Sequence, residues 1–508
     1  MSDAERQPLM KSPRPAGLPW SQVAILGLFR VTHSIYFGYI LTWITPFIIR
    51  HGLANDNTVG RIAGWIESAF SLGVLLGLGP ASYLSDAIGR KATASTGVLL
   101  ASMGTIAFGF SSTLAQMIML RFSIGFFVSF IPATILTSLI ELSNAETLPM
   151  AFAISSAGWT TGTVLAPGIG GFLAEPAVHY PGIFGGTIWE DYPYALSGVV
   201  AASVPIISVI IGYFILEETL PKYRRRSLFS LLPLCRNRES SQDAPSSSGD
   251  SQRVTVEETS WNGLLIRPVI FMLCILGLYV FMLIAHLVAE VLFLSSPVSV
   301  GGLDLTPREV AILYSIRPLL GAMLNMLLYP LMARRWSTEL ILRRCYTYIL
   351  PAHYLGYFIL GYTAASASSS TSTYAGTGAV QQCVHLSHTT LVSALFGLAM
   401  LHVLDNCSQT ATGQTLSSRA PSRLYLSRLN TLYEYIANIA HGSGAFVGSN
   451  LWAVGVQYNI LKGHFVWLFL FAMALGLGVM SRRVTREKTW EEREEEEEGL
   501  AEERAQVI

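Results

Sequence analysis

Ser82-Tyr-Leu-Ser-Asp-Ala-Ile-Gly-Arg-Lys91 joins two long apolar stretches, 60–84 and 93–112, and brings an acid, a glycine and two adjacent cations into one short connection. An α-helix crosses a ~30 Å hydrocarbon layer with roughly 20 mainly apolar residues, so each flank is long enough to span a bilayer. Lysine and arginine beside helix ends are retained on the cytoplasmic side, which places Arg90 and Lys91 there. This connection therefore sets the class of the fold, helices in lipid, and the face on which the chain turns.

The same pattern repeats outward in both directions. Spanning segments fall near 21–49, 60–84, 93–112, 115–141, 150–175 and 193–216, and again near 266–295, 308–332, 340–363, 390–413, 427–455 and 463–481. The stretch between the two sets, 217–265, carries Lys222, Arg224, Arg225 and Arg226 and then SSQDAPSSSGDSQ. It is too polar to bury a core of its own and reads as a cytosolic linker. With the N-terminus inside, the inner segments receive Arg90, Lys91, the linker cluster, Arg334, Arg335, Arg343, Arg344, Arg419, Arg423, Arg428, Arg482 and Arg483. The outer loops receive Arg50, Arg61, Arg308 and Lys462. The expected fold is an all-α integral membrane protein with twelve transmembrane helices in two six-helix halves, 21–216 and 266–482. A tail at 1–20 and an acidic tail at 483–508 frame it, and both termini are cytosolic.

Composition agrees with lipid as the solvent. Only 13% of the 508 residues are charged and 51% are hydrophobic, with a mean hydropathy of +0.46. A soluble domain carries about 25% charged residues. The formal net charge of zero removes any global attraction to nucleic acid. Cys235, Cys274, Cys345, Cys383 and Cys407 form no CxxC pair, which argues against a disulfide framework or a structural zinc. The sequence holds no GxxxxGK[ST], HExxH or GxSxG segment, so neither an ATP-driven engine nor a hydrolase is expected, and no cofactor. The polar, Pro-rich first twenty residues lack the apolar core of a cleavable signal peptide. ERQPLM, with Glu5, Leu9 and Met10, is similar to an acidic dileucine sorting signal. The run EEREEEEEGLAEER reads as a solvated tail, and 364–389 as a flexible outer loop.

The connection quoted first resembles the signature GxLxDRxGRK of the major facilitator superfamily at Asp86, Gly89, Arg90 and Lys91, with Ser82 and Ala87 in place of its first glycine and middle arginine. A carboxylate and a basic cluster at a helix junction can form an ion-pair latch whose opening permits rocking. In the fourth span, Arg121-Phe-Ser-Ile-Gly125-Phe-Phe-Val-Ser129 is similar to the family's RxxxGxxxG pattern, which implies a part for Arg121 in proton coupling. The fifth span carries Gly158, Gly162, Ala166 and Gly170 four apart on one face, with Pro167 and Gly171, and looks like the GxxxxPxxGG motif of the drug:proton antiporter branch. Such a stripe of small residues lets helices approach closely.

A finer resemblance, over 20–482, is to the zinc-induced-facilitator-like and related fungal transporters. It rests on IGRK, GTVLAPGIGGFLAEP, DYPYAL, LLYPLMARRW and RAPSR. Such relatives read R-F-A-E-P in the first span, where this chain has Arg30-Val-Thr-His33-Ser34 and no acid. The resemblance implies a secondary transporter with inverted three-helix repeats and a substrate path between the halves. It would move a small organic solute, drug-like compound or metal chelate by proton antiport, as a monomer, in the vacuolar or plasma membrane. Its partners are a small-molecule substrate, protons and the lipid bilayer, with no nucleic acid. A facilitated uniporter and a transport-dead transceptor are the alternatives.

Ionisable residues within spans are costly unless they face a partner or a cavity, so each is a candidate site residue. Arg30 and His33 are three apart and share a helix face, and His33 supplies a titratable group where the acid is missing. Glu67 is expected either to pair with Arg30 or to carry protons, and Glu141 lies near the inner end of the fourth span. In the second half His286 and Glu290 are four apart, and Arg317 follows in the next span. A relay or ion pair of Glu290 with Arg317 fits better than a metal, because two ligands lack a third. Asp405 is the leading second-half carboxylate. Tyr36, Trp159, Arg317 and Glu434 are expected to line the substrate cavity, and no metal site is expected. Asn406-Cys-Ser408 is formally a glycosylation sequon made inaccessible by its span.

Overall fold

A computed structural model describes residues 19–56, 58–143, 147–219, 261–297, 300–372, 388–421 and 425–485, and the regular structure among them is helical, with no strand. The tail signal at Glu5–Met10, the basic cluster at 222–226, the serine-rich linker, Arg423 and the acidic tail from 486 lie outside these residues. The described chain divides into two compact units. One comprises Met1–Arg225, Val291–Pro297 and Leu303–Leu319, and the other Arg226–Glu290, Val298–Gly302 and Leu320–Ile508.

The first unit contains α1 (Trp20–Gly38), α2 (Ile44–Arg50), α3 (Val59–Ile88), α4 (Arg90–Gly109), α5 (Leu114–Val128), α6 (Phe130–Leu142), α7 (Leu148–Phe172), three single turns α8 (Pro176–His179), α9 (Pro181–Phe184) and α10 (Ile188–Asp191), and α11 (Ala195–Ile215). Local chemistry sets several of the boundaries. Gly89 ends α3 at φ 118°, a backbone region that glycine alone enters without a Cβ penalty. Thr113 and Gln116 form a reciprocal capping box that satisfies donors at the start of α5. Glycines then decide the packing. A Cβ at Gly73 would overlap the Phe122 carbonyl, and one at Gly125 the Phe70 carbonyl, so α3 and α5 approach to backbone contact from both sides.

The later chain forms α12 (Trp261–Leu264), α13 (Arg267–Ser295), α14 (Pro307–Ala333), α15 (Thr338–Arg344), a π-helical turn at Cys345–Ile349, α16 (Leu350–Ser372), α17 (His388–Ser418), α18 (Leu426–Gln457) and α19 (Phe465–Ser481). In the second unit Asn325 donates to Thr410 over 3.1 Å and Tyr329 to Gln414 over 2.5 Å, tying α14 to α17 through polar side chains.

A helix, or helices in series, occupies each apolar segment found in the sequence. Among the described residues, six stretches are long and apolar enough to cross a membrane: Val59–Ile88, Arg90–Gly109, Leu114–Leu139, Ala195–Ile215, Arg267–Ser295 and Pro307–Ala333. The helices α1, α7, α16, α17 and α18 run 19 to 32 residues, and α19 is apolar and 17 residues long. Of these, α1 carries Arg30 and His33, α17 Asp405 and α18 Glu434, as expected where one face of a helix turns from lipid toward protein or water.

Two segments differ from the sequence reading. The stretch 21–49 is not one helix, because the chain turns over 39–43 between α1 and α2. The loop expected at 364–389 begins later, because α16 continues to Ser372. Its Ala-rich start favours helix, and no glycine or proline interrupts the chain until Gly376.

Candidate functional site

The break between α1 and α2 has a chemical consequence. A helix leaves its last carbonyls without helical donors, and those of Tyr36 and Phe37 lie just before the turn. Arg121 on α5 donates to both, Nη1 to Tyr36 over 2.7 Å and Nη2 to Phe37 over 3.0 Å. The same Nη2 donates to the two carboxylate oxygens of Glu67 on α3, at 3.2 and 3.1 Å. The Phe70 ring lies 4.3 Å from the guanidinium carbon. Arg121 is fully buried and Glu67 is 4% exposed. Gly125 makes this pair possible. Four residues beyond Arg121, it admits the α3 backbone at Phe70, which brings Glu67, one turn earlier, alongside Arg121. Glu67, expected either to pair with Arg30 or to carry protons, is paired with Arg121.

Arg30 contacts its own helix and α7. Its Nη1 lies 3.0 Å from His33 Nδ1, and the Trp159 ring sits 4.9 Å below the guanidinium and edge-on to His33 at 5.0 Å. Ser34 donates to the Trp159 carbonyl over 2.9 Å. The small-residue face of α7 allows this proximity. A Cβ at Gly158 would overlap the Gly27 carbonyl, one at Gly162 the Val31 carbonyl and one at Gly170 the Tyr39 carbonyl, while Gly171 meets Pro307 and Ala311 at the start of α14. Pro167 lies inside α7 between these contacts. Tyr36 points elsewhere. Its fully buried hydroxyl donates to the Val98 carbonyl at 2.8 Å and shares a hydrogen bond with Ser102 at 2.7 Å, within the α1–α4 packing.

At the α3–α4 junction Arg90 bonds the Ser85 carbonyl at 2.7 Å, Asp86 at 2.8 Å and Glu141 on α6 at 3.0 Å. Asp86 is 73% exposed, so its arm of the network contributes little energy, whereas Arg90 itself is buried. Glu218, just past α11, accepts from the backbone N–H groups of Arg90 and Lys91 at 2.7 and 3.2 Å. An acid at the N-terminus of α4 is favoured by the helix dipole. Lys91 reciprocates, donating to the Tyr213 and Leu216 carbonyls at the end of α11, both at 2.7 Å. A side chain at Gly89 would collide with Glu218. The junction is thus tied to α6 and α11 through Glu141 and Glu218. Glu218 belongs to no motif along the chain, and its one legible signal is the acidic pair, Glu217 and Glu218, that follows the sixth span.

The second unit holds its polar residues in an aromatic nest. Tyr357 donates to Glu290, and His286 Nε2 lies 3.6 Å from the same carboxyl group. The His286 ring packs on His353 at 4.8 Å, Tyr357 at 4.8 Å and Trp467 at 5.5 Å. Asp405 is 2% exposed and accepts from Ser408 at 2.9 Å and Tyr279 at 3.3 Å. Arg317 lies 4.8 Å from the Tyr314 ring in the first unit, and Glu434 is half-buried on α18. His353 and His402 were not singled out from sequence; His402 stands three before Asp405, a legible spacing, whereas nothing along the chain links His353 on α16 to that pair.

These arrangements can be set beside known proteins. The family model described as Major Facilitator Superfamily matches residues 28–420. This chain belongs to the major facilitator superfamily. As a member it is an integral multi-pass membrane transporter of small molecules and not an enzyme. Among its relatives, the Major facilitator-type transporter psiT2 of Psilocybe cyanescens is 26% identical over 504 residues, covering 93% of this chain and 92% of that one. Protein ZINC INDUCED FACILITATOR 1 of Arabidopsis thaliana is 25% identical over 361 residues, 69% of this chain and 72% of that protein. The multidrug transporter mfsB of Aspergillus fumigatus is 30% identical over 219 residues, 42% of this chain and 35% of that protein. Solved structures share the fold. A bacterial homolog of the human lysosomal transporter Spinster superposes with a TM-score of 0.60 at 13% identity, covering 91% and 97% of the two chains. A D-xylose-proton symporter gives 0.60 at 12% identity, covering 92% and 98%.

Proposed function

We propose that this superfamily member moves a small organic solute, drug-like compound or metal chelate in exchange for protons, by alternating access of two six-helix halves, 21–216 and 266–482. Twelve spans with both termini in the cytosol, in the vacuolar or plasma membrane, complete the reading. The observation that carries it is the Arg121–Glu67 pair, buried and anchored on the carbonyls freed where α1 breaks. Protonating Glu67 removes the negative partner of a buried cation, so proton arrival and departure act directly on the contact among α1, α3 and α5. Relatives named a multidrug transporter and the efflux pump azaK support a drug-like substrate class. The junction of Arg90 and Lys91 with Glu141 and Glu218 is the contact that would open and close during rocking.

The test is proton movement in liposomes that contain the purified protein and an internal pH dye. A panel of organic solutes and metal chelates is added under an imposed ΔpH. The reading requires a solute-dependent proton flux that is lost in Arg121→Ala and Glu67→Gln. Labelled-solute equilibration that ignores ΔpH overturns antiport in favour of uniport. Retained solute binding with no flux in either assay overturns transport in favour of a transceptor.

A further inference from the structure

We propose that His353, His402 and Asp405 form a three-ligand site for a divalent transition-metal ion of the zinc class, with one coordination position left open. The donor atoms of these three side chains all lie within 4.8 Å of one another. His402 and Asp405 are three apart on α17 and share a face, and α16 supplies His353 opposite them. A tetrahedral ion with ligands at ~2.1 Å needs donors ~3.4 Å apart, so the set has to draw in by no more than about 1.4 Å.

Burial and charge favour a cation here. His353 is 1% and Asp405 2% exposed, and a buried carboxylate is stable only when paired, hydrogen-bonded or bound to a metal. Ser408 and Tyr279 supply hydroxyl hydrogen bonds, and among the described residues no basic side chain forms an ion pair with Asp405. Those hydroxyls also hold the carboxylate in orientation, the part that outer-shell groups play around bound metals. The His353 ring is stacked on Tyr354, 5.7 Å away and 14° from parallel, and flanked by Tyr357 at 5.3 Å. Two imidazoles and one carboxylate select borderline ions such as Zn2+ or Co2+ over Mg2+ and Ca2+, which prefer all-oxygen shells. The open position would accept water or a donor atom of a bound solute. None of this depends on proton coupling, and the site is measured without transport.

The full chain is purified in detergent with an affinity tag that contains no histidine. Bound Zn2+ is measured by equilibrium dialysis and bound Co2+ by its ligand-field absorption. The site requires one ion per chain, Zn2+ binding unaffected by excess Mg2+, and affinity reduced at least about tenfold in His353→Gln, His402→Gln and Asp405→Asn. His51→Gln, in the first unit and outside the donor set, leaves the affinity unchanged. His402→Cys guards against misfolded variants, because a thiolate keeps the third ligand. It should retain Co2+ and add a sulfur-to-metal charge-transfer band. Affinity unchanged within twofold in the three ligand variants overturns the site, as does equal competition by Mg2+ or Co2+ absorption in His402→Cys identical to that of the unaltered chain.

Discussion

Replacing Glu67 with glutamine tests whether the Arg121 pair holds the first unit together. The substitution keeps shape and one acceptor for Nη2 but removes the negative charge beside a guanidinium that is 0% exposed. Breaking a buried ion pair by removing one partner costs about 3–5 kcal/mol, because the other charge stays buried. Three retained features offset part of this cost. The Tyr36 and Phe37 carbonyls still accept from Arg121, the Phe70 ring remains 4.3 Å away, and the glutamine carbonyl is a neutral acceptor. The ring alone contributes about 0.5–2 kcal/mol, so the expected loss for Glu67→Gln is about 3 kcal/mol. Arg121→Gln should cost at least as much, since it also strips the donor from two carbonyls at about 1–3 kcal/mol for each group left unsatisfied. The assay is equilibrium unfolding in mixed detergent–SDS micelles, followed by tryptophan fluorescence, for both single variants and the double. Side chains in direct contact couple by about 0.5–3 kcal/mol, and this pair should lie near the top of that range. Additive losses, with coupling below about 0.5 kcal/mol, would refute an energetically real ion pair, whatever the distance between the groups.

Other substitutions probe the packing and the junction. Gly158→Val forces a side chain into the Gly27 carbonyl and should cost at least about 1–3 kcal/mol in the same unfolding assay, whereas Gly182→Ala, which meets nothing within 4 Å, should be neutral. Gly89→Ala combines a strained φ of 118° with a clash against Glu218. It should lose about 1–3 kcal/mol and most of the solute flux, with the loss of flux matched by Glu218→Gln. Thr113→Ala removes the capping box of α5 and should lower unfolding stability by about 0.5–2 kcal/mol while leaving flux per folded molecule unchanged.

Helix positions were legible because hydrophobicity in lipid is nearly one-dimensional. A helix must present roughly 20 apolar residues to the hydrocarbon, and such segments are read directly along the chain. Short motifs were legible for a related reason: Arg121 and Gly125, or Gly158, Gly162 and Gly170, lie one or two turns apart, so their shared face follows from helical period alone. The loop boundary near 364 was misplaced because polarity marked the serine run as a loop while its alanines continued α16.

The sequence by itself determined the class of the protein, the order of its helices, the small-residue face of α7 and the residue types of the Arg90 junction. Only the tertiary structure decided which charges meet. Glu67 finds Arg121 because glycines let α3 and α5 touch, Glu218 closes the junction from across the first unit, and His353 joins His402 and Asp405 from a different helix. Partners separated by about fifty or more residues are chosen by packing at short range, and no period along the chain encodes that choice.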